Sequence, residues 1–135
     1  MLVVNVTQLV KELADLKTAQ LDGGKLRLYK NDIQPSPTTL IAAFTEADFT
    51  GYAAITIATW GAAFQNAIGN GQVIAPSQQF NQSGVGVTNN IYGYWYETAA
   101  GVLLWSERFA AAPVPMDATG KALVLILTRE NANQV

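Results

Sequence analysis

Glu97 and Glu107 bracket an aromatic and aliphatic stretch, and paired carboxylates are the main acid–base device this sequence offers, because its 135 residues contain neither histidine nor cysteine. Cleaving a glycosidic bond would need two carboxyl groups about 5–9 Å apart across a cleft, one of them held protonated. A turn over residues 98–101 sets Glu97 beside Gly101 or Val102 and leaves Glu107 several residues up the ladder, too far to share a substrate. Glu107 next to Arg108 reads as a charge pair on the solvent face. Without imidazole or thiolate there is no Ser-His-Asp or Cys-His nucleophile, no zinc site of the usual nitrogen and sulfur ligands, and no disulfide. Glu46 and Asp48 lack the dense alternating carboxylates of a calcium loop. Gly69-Asn70-Gly71 and Gly84-Val85-Gly86 lack the further glycine, the following helix and the lysine of a phosphate cradle. No catalytic, cofactor-binding or metal-ligating residue is therefore predicted, and the chain reads as a non-enzyme.

The remaining chemistry is aromatic. In the run Ile91-Tyr92-Gly93-Tyr94-Trp95-Tyr96-Glu97, strand alternation puts Tyr92, Tyr94 and Tyr96 on one face and Trp95 with Gly93 on the other. One set is then core and the other is free to stack on a sugar or fill an interface, where aromatic side chains are enriched. Residues 102–109 form the second half of a hairpin across the small residues Thr98-Ala99-Ala100-Gly101.

The elements that would hold these side chains begin with a helix over residues 6–20. Val6, Leu9, Val10, Leu13, Leu16 and Gln20 recur at three- and four-residue spacing, Asn5 can cap the start with Gln8 as reciprocal partner, and Asp22-Gly23-Gly24 ends it. The stripe can close one mouth of a sandwich or pack on a neighbouring copy. The Gly-Gly break favours the second, which makes Val6, Leu9, Val10, Leu13 and Leu16 the candidate interface. Residues 1–5, nearly uncharged and β-prone, could add a strand to a neighbour's sheet edge. From Lys25 the period changes to two: strands are predicted over 25–30, 54–60, 71–75, 77–82, 91–97, 102–109 and 122–127, the last apolar on both faces and hence central in its sheet. Residues 38–52 read as a structured loop or single helical turn pinned by Phe44, Phe49 and Tyr52. One helix with seven or eight short strands and no βαβ alternation describes a mainly β chain, an antiparallel, jelly-roll-like β-sandwich over 23–135 preceded by an arm and helix over 1–22.

Only 13% of residues are charged, the net charge is −2, and half are apolar. Nine Asn and nine Gln, with many Thr and Ala, supply a neutral outer face that loses little on desolvation. That composition suits a subunit of an assembly and gives no attraction for nucleic acid or anionic lipid. The start has no basic region before its apolar run, so no secretory signal is expected. The longest apolar runs, six and seven residues, fall far short of the about 20 needed to cross a bilayer.

Leu26-Arg27-Leu28-Tyr29-Lys30-Asn31-Asp32, Phe44-Thr45-Glu46-Ala47-Asp48-Phe49-Thr50-Gly51-Tyr52, Ile91-Tyr92-Gly93-Tyr94 and Glu107-Arg108-Phe109 occur in this order. Over residues 25–130 the chain thereby resembles a family of small virion structural proteins of tailed bacteriophages. The resemblance implies a non-enzymatic particle component, a capsid decoration or cement protein assembled into the virion in the host cytoplasm. Its partners would be the major capsid protein or other virion subunits and further copies of itself, as a dimer or trimer. A tail-associated or host glycan-binding module is the alternative, with Tyr92, Tyr94 and Tyr96 as its ligand residues.

Overall fold

The computed structural model of the chain describes residues 5–131. After the helix α1 (Val6–Leu16), the strands in chain order are β1 (Gly24–Tyr29), β2 (Ile55–Ile57), β3 (Phe64–Gln65), β4 (Gly71–Ile74), β5 (Gln78–Asn81), β6 (Asn89–Ile91), β7 (Gly93–Glu97), β8 (Leu103–Arg108), β9 (Val114–Met116), β10 (Ala122–Leu125) and β11 (Thr128–Asn131). They pair into a four-stranded sheet of order β2-β1-β7-β8, a three-stranded sheet β11-β4-β3, and two-stranded sheets β10-β5 and β6-β9. Every pairing is antiparallel. The chain is thus mainly β, with antiparallel sheets and one N-terminal helix.

Asn5 starts α1 by accepting the Thr7 N–H on Oδ1 at 2.9 Å. The helix then widens into a π-helical turn, Lys17–Leu21, closed by the Asp22 N–H on the Lys17 carbonyl at 2.8 Å. Each π turn takes more residues than an α turn, so the inward stripe arrives late. Leu21 is buried where α periodicity assigns Gln20, which is exposed.

Leu9 and Leu13 are buried, Leu13 in the main core with Leu16 packed against it, and α1 lies over β4. Gly71 permits the approach: a Cβ there would lie 3.1 Å from Leu13 Cδ1 and 3.2 Å from the Leu9 carbonyl. The expectation that the stripe packs on a neighbouring copy is corrected accordingly for Leu9 and Leu13, which face the chain's own core; Val6, Val10 and Leu16 are half-buried. The Gly-Gly break does not release the helix, because its end is tied on three sides. Lys17 Nζ meets Asp22 at 2.7 Å, Asp22 Oδ1 accepts the Trp60 N–H at 2.7 Å, and Tyr96 donates its hydroxyl to the Leu21 carbonyl at 2.5 Å. Of the predicted strand-adding segment, residues 1–5, residues 1–4 lie outside the described residues and Asn5 caps the helix.

The four-stranded sheet is covered on both faces. Leu26, Leu28, Tyr94 and Tyr96 look into the main core with Trp60, Phe80 and Ile91. Tyr29 and Trp95 look the other way onto Phe44, whose ring stacks on Trp95 at 5.1 Å and lies 4.9 Å from Tyr29. All five residues of β7 are therefore buried. Gly93 fits because Tyr29 lies over it: a Cβ there would collide with the Tyr29 hydroxyl and the Glu107 carbonyl.

Two strand expectations are corrected. Of residues 54–60 only Ile55–Ile57 form a strand. Of residues 122–127, read as central, Ala122–Leu125 form β10 in a two-stranded sheet, with Leu123 and Leu125 packed against the core while Val124 (53%) and the following Ile126 (63%) are exposed. An apolar run on both faces signals a central strand only when something covers the second face.

Candidate functional site

Glu97, Glu46 and Glu107 are each engaged by side-chain partners. Glu97, 6% exposed, accepts Arg27 Nε at 2.9 Å and Trp95 Nε1 at 3.0 Å. Arg27 Nη1 reaches on to Glu46 at 2.8 Å, and Glu46 also accepts the Tyr52 hydroxyl at 2.9 Å. Glu107 lies opposite Tyr94 and accepts its hydroxyl at 2.8 Å, on the other face of the sheet from Glu97. The two glutamates are not brought together. Nor do Glu107 and Arg108 pair with each other: Arg108 Nη1 binds Asp32 at 2.6 Å and the Ile33 carbonyl at 3.0 Å. Adjacent residues on a strand point to opposite faces, which is why that expected pair does not form. Asp48 is held by Lys30 at 2.7 Å and Asn89 at 2.9 Å, apart from Glu46. Among the described residues no group of three or more acidic side chains is placed to hold a metal ion.

The three candidate tyrosines do not form an exposed platform. Tyr94 and Tyr96 are core, Tyr96 stacked on Trp105 at 5.0 Å and edge-on to Trp60 at 5.5 Å. Burial, with Glu107 beside it, pushes the Tyr94 hydroxyl well above the ordinary tyrosine range. Tyr92 sits in the break between β6 and β7, where its N–H goes to the Tyr29 carbonyl and its own carbonyl to the Phe109 N–H. That break switches it to the Trp95 side, half-buried, with the Arg108 guanidinium 5.1 Å from its ring centre. The shared face read from alternation is corrected by this interruption.

Asp22 ties the helix end to the sheet region and carries a pH dependence. Burial by itself would raise its pKa, but the Lys17 ammonium and the Trp60 N–H outweigh that and hold it below the ordinary aspartate value of 3.8. A depressed folded-state pKa gives stability that is complete above the unfolded value and lost as pH falls through the folded one. Stability is accordingly expected to fall as pH drops below about 3.8. Asp22→Asn should lower the urea midpoint at pH 7 and flatten its decline toward pH 2.5; an unchanged acid limb would rule Asp22 out as the cause.

Two concave features lie along β8. A groove of about 650 Å³ is lined by Pro35, Ser36, Pro37, Thr39 and Leu40 on one side and by Leu103, Leu104, Trp105 and Ser106 on the other. No lining residue is charged. A smaller hollow of about 180 Å³, lined by Leu16, Gln20, Leu21 and Arg129, shares Leu104 and Trp105 with it. Tyr96 pairs with Trp105 and Glu97 with Leu103, so Leu104 is the extra residue of a bulge. The β8 edge was readable as a strand, but its exposure required knowing the strand order. No family model, curated protein or solved structure matches the chain.

Proposed function

We propose that this chain is a structural subunit of a tailed-bacteriophage virion, a capsid decoration or cement protein that stabilises the shell by covering neutral surface at junctions between capsid subunits. The four small sheets are read here as parts of a jelly-roll-like sandwich whose layers are interrupted by irregular connections. The observation that carries the proposal is the outer face of the β5-β10 sheet, where Gln79, Asn81, Ala122, Val124 and the following Ile126 are all exposed and none is charged. Burying such a face against a second protein strands no charge and removes apolar surface from water. The resemblance of residues 25–130 to virion structural proteins supports the major capsid protein or a neighbouring virion subunit as that second protein. Many copies each adding part of a standard interface of about 1,600 Å² would suffice to reinforce a shell.

The test mixes the purified chain with empty shells of its phage that lack the protein. Saturable binding and a raised shell disruption temperature are expected, and Val124→Asp with Ile126→Asp should weaken binding at least about tenfold, a loss of about 1.4 kcal/mol, while the isolated chain still unfolds at its normal temperature. Shells that ignore the protein, or bind the double variant equally well, would remove the proposal.

A further inference from the structure

We infer that the free edge of β8 and the groove beside it take an extended, uncharged peptide segment of a partner chain as an added strand, with a carboxylate at the segment's end against Arg129. β8 is the last strand of its sheet, and no strand among the described residues pairs with its outer edge. The Phe109 N–H donates to the Tyr92 carbonyl, so the alternation of an antiparallel ladder turns Glu107 and Trp105 toward β7 and the N–H and C=O of Ser106 toward the groove. An edge with backbone groups facing an open groove is the geometry of strand addition. The groove borders residues 103–106, so the added strand meets the edge at Ser106, and the bulge at Leu104 turns its end toward the smaller hollow.

Charge selects the occupant. The groove walls are proline, serine, threonine, leucine and tryptophan, which would leave a charged side chain without a partner. Arg129 lines the hollow beyond. Among the described residues, Arg129 and Lys25 are the only cations in no salt bridge; the other six each hold a carboxylate within 2.9 Å. A neutral strand followed by a carboxylate, whether a chain end or an acidic side chain, matches that sequence of surfaces.

The inference rests on the assembly reading only for the existence of a partner, because a peptide can be presented to the isolated protein; its failure and a failure of shell binding are separate results. Six-residue segments of Ala, Thr, Val, Asn and Gln with free carboxyl ends are displayed and selected against the intact chain, and the best is synthesised as acid and as amide. Capture is expected. The amide, or Arg129→Gln, should weaken binding about two- to fivefold, as suits an exposed ion pair, without adding to each other. Ser106→Pro, which removes the outward N–H, should weaken it at least about tenfold. Leu40→Asp, at a side chain 72% exposed, keeps the test decisive if the proline variant does not fold. No captured peptide, or a captured peptide indifferent to Ser106→Pro and Leu40→Asp, overturns the inference. So does a dimer of the chain that dissolves in those variants while no peptide is captured, since the occupant would then be a second copy.

Discussion

Arg27→Met is expected to lower the unfolding free energy by about 3–5 kcal/mol, the usual effect of breaking a buried ion pair from one side. Its guanidinium is the shared partner of Glu97 and Glu46, at 2.9 and 2.8 Å. Glu46 is more than a third exposed and can return to water. Glu97 cannot: it sits at the end of a strand buried on both faces, and without Arg27 its charge would keep only the Trp95 N–H. The loss should therefore be recovered in large part by Arg27→Met combined with Glu97→Gln, which removes the uncompensated charge and keeps an acceptor for Trp95. Urea unfolding of the single and double variants checks this; equal midpoints would show that the network is not the origin of the loss.

Leu13→Ala should cost about 2–5 kcal/mol, the range for emptying a fully buried leucine site. Leu13 is wholly enclosed between α1 and β4, with Gly71 leaving no Cβ to collapse into the space. If the helix were instead an arm for a partner, the same change would leave the isolated chain's unfolding untouched and appear only on assembly. A melting curve of the variant separates the two.

The helix, the hairpin of β7 and β8 and the β-rich character were legible because each depends on local periodicity over five or more residues. What was not legible depends on a neighbour distant in sequence. Tyr94 and Trp95 both look exposable until Phe44 is known to cover one face and the main core the other. Val124 and Ile126 look central until β10 is found with a single partner. Gln20 looks inward until the last turn of the helix is seen to be π, and nothing in Lys17-Thr18-Ala19-Gln20-Leu21 announces that. The carboxylates illustrate the same limit: the separation of Glu97 from Glu107 follows from hairpin counting, whereas their engagement by Arg27 and Tyr94 does not. The groove along β8 is a property of strand order, to which residues 35–40 contribute from far upstream.

The pairing of β1 with β7 bears on synthesis. Arg27 and Glu97 are seventy positions apart, and β1 reaches β2 only after residue 55 has been made. A nascent chain leaving the ribosome carries β1 without its central partner until about seventy further residues have been made, and long-range pairings of this kind slow folding because the loop must close before the contact rewards it. Acquisition of protease resistance should thus be late and abrupt, coming once the segment through residue 97 has emerged.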